Sequence, residues 1–244
     1  MSRAGQVVRG CLDLLGREVH PGVTTGELDR LAEEFIRASG GIPTFKGYRG
    51  FPGSICASPN DMVVHGIPGR VRLREGDILG VDVGVTLDGY IGDAAATFPV
   101  GDISQEAQDL LRVTEESLWK GISQCKAGNR VGDISHAVQT HAESHGYSVV
   151  EAMVGHGVGR EMHEDPQVPN FGPAGHGPEL REGMVLAIEP MINLGGYDIR
   201  IGDDSWAVYT KDGSLSAHFE HTVAITKDGP RPLTATEESR SMAL

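Results

Sequence analysis

The chain has 244 residues, enough for one substantial domain or two fused halves with a sizeable core, and its 39% hydrophobic and 23% charged residues are ordinary for a globular protein in water. A net charge of -13 argues against nucleic acid as the main ligand, because a phosphate-binding surface needs net Lys and Arg. No apolar run is long enough to span a bilayer and no secretory signal is visible. The three cysteines (Cys11, Cys56 and Cys125) are too scattered for a disulfide framework or a thiolate zinc site, so a reducing cytoplasm is the expected compartment and no membrane partner is expected.

In chain order, residues 3–18 predict an amphipathic helix with Val7, Val8, Cys11, Leu12, Leu14 and Leu15 inward. A second helix is predicted after Thr24, where Thr24-Thr25-Gly26-Glu27 has the form of a capping box and Gly40-Gly41 provides the stop. Its inward face carries Leu28, Leu31, Ala32, Phe35 and Ile36. Residues 104–122 and 132–145 predict another such pair. Gly22, Gly26 and Gly40 align with Gly128, Gly132 and Gly146 at a constant offset of 106, which suggests two similar halves, about 1–105 and 106–244, sharing one core. A site at the seam between such halves can draw ligands from both. Strand-rich stretches are 53–65, 77–98, 148–163, 183–201 and 205–226.

Four stretches carry chemistry. In ILGVDVGVTLDGYIGDAAATF, Asp88-Gly89 is a good two-residue hairpin turn. That turn pairs Leu87 with Tyr90 and sets Gly84 opposite Asp93, so Asp82 and Asp93 share one face. Two ionised carboxylates among apolar neighbours are costly without a cation, although an exposed hairpin with surface aspartates is the alternative. In GHGVGREMHEDP, His156 sits between glycines and His163 follows seven residues later. MVLAIEPMI places Glu189, and SAHFEHTVAIT places Glu220, inside apolar strands, where an acid is buried only if paired or metal-bound; edge strands facing water are the alternative. Two Asp, two Glu and one His compose a two-metal ligand set, and the imidazole favours Co2+, Mn2+, Fe2+ or Zn2+ over Mg2+ or Ca2+. Two such ions, roughly 3.5–4 Å apart, can share a water, lower its pKa and polarise a carbonyl, which suits amide hydrolysis.

The motifs GYRGFPGSICASPNDMVVHGIP, VDVGVTLDGYIGDAAATF, GHGVGREMHEDPQVPN, IEPM and SLSAHFEHTVAIT together resemble the bacterial type I methionine aminopeptidases, peptidases of the pita-bread (creatinase-like) fold. The resemblance covers nearly the whole chain. It implies an α+β fold, with two pseudo-symmetric halves around a curved antiparallel sheet in a single catalytic domain. It implies a metal-dependent aminopeptidase that removes the initiator methionine when the second residue is small. Asp82, Asp93, His156, Glu189 and Glu220 would hold two divalent ions, Asp82 binding one, Asp93 and Glu220 bridging, and His156 and Glu189 completing the other site. Glu189 would also shuttle the proton. His65 would assist at the substrate amide and His163 at the carbonyl oxygen.

Tyr48, Phe51, Cys56 and Trp206, with Phe45 beside them, would line the methionine pocket, apolar and polarizable as a thioether requires. Backbone carbonyls near Asn60, Met62 and Ser216 would offer a site for Na+ or K+. The resemblance further implies a monomer acting on nascent polypeptide N-termini, with transient ribosome contact. Met162 departs from the Phe found in many relatives, and the Gly-rich loop 171–177 is expected beside the cleft. Two alternatives share the fold: a proline-directed peptidase, and a non-catalytic binding module that has lost a ligand.

Overall fold

The computed structural model describes residues 1–235. Its first half contains α1 (Ser2–Glu18), α2 (Thr25–Ala38), β1 (Ile42–Pro43), β2 (Cys56–Pro59), β3 (Met62–Val64), β4 (Ile78–Leu87) and β5 (Tyr90–Pro99). The second half opens with α3 (Gln105–Ser123) and α4 (Val131–Ser144). It continues with β6 (Ser148–Val149), β7 (Gly155–Gly157), β8 (Glu164–Val168), β9 (Val185–Ile188) and β10 (Met191–Asn193). It ends with β11 (Ile199–Ile201), β12 (Val208–Thr210), β13 (Ser216–His218), β14 (His221–Thr226) and β15 (Gly229–Pro232).

All strand pairings are antiparallel among the described residues. β4 pairs with β5 along one edge and with β1 and β2 along the other. A five-stranded sheet runs β15-β14-β9-β7-β8, and two three-stranded sheets run β13-β10-β6 and β11-β12-β3. α1 and α2 cover one face of the β4–β5 hairpin, packing Val8, Leu12, Leu15, Leu28 and Ile36 against Leu79, Val81, Val83, Val85 and Ala94. α3 and α4 cover β9 and β14 through Leu118, Ile122, Ile134, Leu186, Ile188 and Val223. The helices therefore shield one side of each half, and the opposite sides face the interior between them.

The helix predictions agree with the structure to within a residue or two at each end. Thr24 accepts the Glu27 N–H at 3.2 Å, and Glu27 accepts the Thr24 N–H at 2.8 Å, completing the capping box. At the equivalent helix start, Asp133 accepts the Arg130 N–H at 2.7 Å, while the Arg130 side chain has no acceptor and its main-chain carbonyl takes the Asp133 N–H at 2.9 Å. α2 and α4 each span 14 residues and begin 106 residues apart. Each lays its first N–H groups on an extended segment. Thr25 and Gly26 donate to Val71 and Gly69, and Val131 and Gly132 donate to Pro178 and His176. Those orphan donors at a helix N-terminus need outside partners, and both halves supply them in the same way.

Two strands carry no apolar alternation in the sequence. β8 (EDPQV) and β15 (GPRP) are sheet edges with mostly solvated side chains, so no buried face imposes a period of two. The loop 171–177, expected beside the cleft, instead packs over the N-terminus of α4. There Gly175 N–H donates to Asp133 at 2.7 Å, Gly172 N–H donates to Gln139 at 3.0 Å, and the His176 carbonyl accepts from Gly132 at 2.9 Å. The first-turn N–H of α4 and side chains on that helix hold the loop's backbone there.

The halves meet along β5. Asp93, Ala95 and Thr97 run antiparallel to Thr222, Glu220 and His218. The Glu220 N–H donates to the Ala95 carbonyl at 2.9 Å. On either side of that bond, a threonine hydroxyl fills the gap where the chains diverge. Thr222 Oγ1 donates to the Asp93 carbonyl at 2.7 Å and accepts the Asp93 N–H at 3.0 Å. Thr97 Oγ1 donates to the His218 carbonyl at 2.8 Å and accepts the His218 N–H at 2.9 Å. Both threonines are buried, so these bonds satisfy main-chain groups that water cannot reach.

Candidate metal centre and pocket

The β4–β5 hairpin has the predicted register: Leu87 lies opposite Tyr90, and Gly84 opposite Asp93. Asp88 and Gly89 both have positive φ, 52° and 76°, as a type I′ turn requires, and Gly meets that requirement without strain. Side-chain alternation turns Val81, Val83 and Val85 toward the helices and leaves Asp82 and Gly84 on the interior face. Cys56 lies opposite Asp82 in the pairing of β2 with β4, which brings its thiol to the same face.

His156 is the central residue of β7. The glycines beside it have a steric reason: a Cβ on Gly155 would lie 2.4 Å from the Ala187 carbonyl oxygen, and one on Gly157 would lie 2.3 Å from that of Asp165. The neighbouring chains thus close onto β7 and bury His156 to 7% exposure. Its Nδ1–H donates to the Gly157 carbonyl at 2.8 Å, which leaves the Nε2 lone pair facing inward.

Glu189 and Glu220 sit differently from expectation. Neither is within a strand: Glu189 follows the end of β9, and Glu220 occupies the break between β13 and β14. Pro190 has no N–H to continue a ladder after Glu189. At Glu220 the main chain leaves β10 to bond with β5. Both breaks turn a carboxylate into the interior, so the apolar runs around these acids are real but the acids mark the strand ends.

Together these residues form one end of a cavity of about 270 Å³ that is lined by Asp82, Asp93, His156, Glu189 and Glu220. His156 Nε2 lies 3.6 Å from Glu189 Oε1 and 3.8 Å from Asp93 Oδ2. Donor atoms of Asp93, His156 and Glu220 all fall within 4.8 Å of one another. Asp82 Oδ1, Asp93 Oδ1 and Glu220 Oε1 are buried with no hydrogen-bond partner. Burial drives the carboxyls of Asp82, Glu189 and Glu220 well above their ordinary range, and neighbouring carboxylates push them further. Burial also raises Asp93 to about 7, and it lowers His156 to about 4. Clustered acids that resist ionisation beside an imidazole that resists protonation are a poor arrangement by themselves. Cations resolve it, because they pair the orphaned oxygens and the free Nε2 at once. The donor set of four carboxylates and one imidazole therefore fits divalent ions of intermediate softness.

The other end is apolar. Phe45, Tyr48, Phe51, Cys56, Met162 and Trp206 line it, with Phe51 and Trp206 edge to face at 5.1 Å. Burial pushes the Cys56 thiol well up, so it behaves as a small apolar group. Met162 is 6% exposed and packs in this same cluster, filling the wall with a flexible chain.

His163 and His65 stand between the two ends. His163 Nδ1 and the Tyr48 hydroxyl share a hydrogen bond of 2.9 Å with their rings stacked, leaving Nε2 for the cavity. Its ring centre lies 4.3 Å from that of His156. His65 adopts φ 62°, a left-handed conformation uncommon for a residue with a side chain, and strain of this kind clusters at functional sites. Burial lowers the pKa of both rings.

Three further residues were absent from the sequence reading. His218 is 3% exposed, and its Nε2 lies 3.7 Å from Glu189 Oε2 without a hydrogen-bond partner. Its position two residues before Glu220 is the signal that could have found it, since extended chain puts alternate side chains on one side. Asn170 Nδ2 donates to the Glu189 carbonyl at 3.0 Å and holds that turn. Arg49, at φ 49°, lines the cavity with its guanidinium over the Tyr48 ring. Arg49 lies within GYRGFPGSICASPNDMVVHGIP and Asn170 ends GHGVGREMHEDPQVPN, but neither residue type by itself points to the metal or pocket set.

The chain is similar to known proteins over nearly its whole length. The family model described as metallopeptidase family M24 matches residues 1–227. The methionine aminopeptidase of Clostridium perfringens is 55% identical over 234 residues, covering 96% of this chain and 94% of that protein. Methionine aminopeptidase 1 of Bacillus subtilis is 53% identical over 229 residues, covering 94% and 92%. Among solved structures, the methionine aminopeptidase from Rickettsia prowazekii superposes with a TM-score of 0.95 at 44% identity, covering 96% of this chain and 95% of that one. The prolidase from Pyrococcus horikoshii OT3 shares the fold, with a TM-score of 0.75 at 22% identity, and this chain covers 61% of it.

Proposed function

Because this chain belongs to metallopeptidase family M24 and, within it, to the methionine aminopeptidases of the pita-bread fold, we propose that it removes the N-terminal methionine of nascent polypeptides whose second residue is small. The observation that carries this reading is one cavity with two unlike ends. Buried acids with unpaired oxygens lie at one end, and an aromatic, thiol- and thioether-lined pocket lies at the other. A methionine side chain fits the second while its scissile amide reaches the first.

Asp82, Asp93, His156, Glu189 and Glu220 are the residues that would hold two divalent ions, of Co2+, Mn2+, Fe2+ or Zn2+. The ions supply Lewis-acid polarisation and a more acidic water. The chain's own groups do the rest. Glu189 takes the proton from the attacking water on a carboxylate oxygen and delivers it to the departing amine nitrogen as the C–N bond breaks. His163 donates from Nε2 to the carbonyl oxygen as negative charge develops, and Tyr48 holds that ring through Nδ1. His65 orients the substrate amide. Tyr48, Phe51, Cys56 and Trp206, with Phe45, grip the methionine side chain and exclude water from it.

We extend the proposal to a monomer working in the cytoplasm, in transient contact with ribosomes. In support, no helix among the described residues is long and apolar enough to cross a membrane. A Na+ or K+ ion near the main chain of Asn60, Met62 and Ser216 completes the reading. The Ser216 N–H donates to the Asn60 carbonyl at 2.9 Å, so these segments adjoin. Activity unchanged when both Na+ and K+ are replaced by a bulky organic cation would remove that ion from the scheme.

The decisive assay compares Met-Gly-Met-Met with a Gly-Pro dipeptide under each divalent metal. Preferential release of Met is expected. Preferential cleavage of Gly-Pro would transfer the chain to the proline-directed branch of the fold.

A further inference from the structure

A second cluster of metal-binding side chains lies on the outer surface, away from the cavity. Glu116 on α3 and His141 and His145 at the end of α4 bring donor atoms within 4.8 Å of one another. We propose that this cluster binds one divalent ion of the borderline class, Zn2+ first, and clamps α3 to α4.

The two histidines are spaced i, i+4, one helical turn apart, so they project from the same flank of α4. Their ring centres are 4.6 Å apart. His145 Nδ1–H donates to the His141 carbonyl at 2.8 Å, which places the lone pair on Nε2 and directs it outward. Such a backbone bond from the far ring nitrogen is how metal-binding histidines are oriented. His141 Nε2 and Glu116 Oε2 are 2.9 Å apart across the helix–helix contact, and Arg112 takes only the other carboxylate oxygen of Glu116, at 3.0 Å. A divalent ion takes the Nε2 lone pair of His141 and Oε2 of Glu116 in place of the hydrogen bond between them, and the single ring proton of His141 moves through solvent to Nδ1. The Glu116 side chain is 41% exposed, which gives it room to move aside by the length of a second metal bond. The ion also sits at the C-terminus of α4, where the helix dipole favours positive charge. Two imidazoles and one carboxylate select Zn2+, Ni2+ or Cu2+ over Mg2+ or Ca2+. Solvent supplies the remaining coordination position.

Because α3 and α4 cover the outer side of the second half, an ion bridging them binds the folded state alone and raises its melting temperature. This site needs none of the cavity residues, so its test is independent of the catalytic reading. The wild-type protein and three variants, His141→Ala, His145→Ala and Glu116→Gln, are dialysed against micromolar free Zn2+ with Mn2+ present, and bound zinc is counted per chain. Zinc that enters the cavity contributes equally to all four proteins. The expected result is one equivalent less in each variant, a smaller zinc-induced rise in melting temperature, and unchanged aminopeptidase turnover. Equal zinc in all four proteins overturns the proposal. So does a loss confined to one or two of the variants, since the site requires all three ligands.

Discussion

Removing metal from the cavity is expected to make stability depend on pH above neutrality, with the loss running in the alkaline direction. Without cations, burial and mutual repulsion hold Asp82, Glu189 and Glu220 well above ordinary carboxylate values, and Asp93 at about 7. A raised carboxylate pKa stabilises the fold below the unfolded value. That contribution is lost as pH climbs toward the folded value, because the unfolded chain has already released the proton. Above about pH 7.5, each carboxyl that the fold still holds protonated lowers stability by about 1.4 kcal/mol per pH unit until its own raised value is passed. In a chain of this size that corresponds to a fall of about 3–6 °C in melting temperature per proton. Asp93, at about 7, has largely ionised in this range, so the effect comes from those of the other three that still hold a proton. The buried histidines do not interfere: His156 and His218 are pushed down to about 4 and about 3, so they are neutral in both states here. Bound metal keeps all four carboxylates ionised and removes the dependence. The measurement is a set of urea and thermal midpoints at stepped pH values above about 7.5, with chelator and with saturating Mn2+. Cys11 and Cys125 lie outside the cavity, titrate alike under both conditions and cancel in the comparison. A chelated protein whose midpoint does not move, or a loaded one that falls just as far, would refute the reasoning.

Other outcomes follow from named contacts. Thr222→Val leaves the Asp93 N–H and carbonyl without partners at a buried seam, and is expected to lower stability by about 2–5 kcal/mol; a urea-derived change within about 0.5 kcal/mol would remove the hydroxyl from that role. His163→Ala is expected to cut kcat by about 10²–10³ with the fold retained, as loss of one oxyanion donor does; wild-type turnover by a correctly folded variant would contradict the assignment. His221 is half-buried, with Nδ1 sharing a hydrogen bond of 2.9 Å with Thr234, and the desolvation of its ring lowers its pKa to about 3. Its contribution is complete above the unfolded histidine value and is lost as pH falls from about 6.5 toward about 3, at about 1.4 kcal/mol per pH unit. His221→Gln should flatten acid unfolding in that window, and an unchanged acid profile would count against it.

Much of the local structure was legible because it rests on contacts between near neighbours. The Thr24 capping box and the Asp88-Gly89 turn depend on groups a few residues apart, and both formed as read. The hairpin register followed from that turn, and with it the shared face of Asp82 and Asp93. The glycine offset pointed to matching helix starts, and α2 and α4 do begin alike, on extended segments that receive their first N–H groups. The edge strands β8 and β15 were missed because solvated side chains leave no hydrophobic period. Glu189 and Glu220 were read as strand residues because apolar runs surround them, whereas the chain bends at each.

The five-residue acid and histidine set was visible in the sequence as residue types out of place among apolar neighbours, and the hairpin alone could unite only two of them. Tertiary structure decided that Glu189 and Glu220 face the same cavity as Asp82 and Asp93, because their approach depends on how the halves dock along β5, through Thr97, Ala95 and Thr222. It also brought His218 to Glu189 and set Tyr48 against His163, 115 residues away. Patterns in a sequence report which side chains avoid water. Which buried charges meet one another is set by packing between distant segments, and no local periodicity records that.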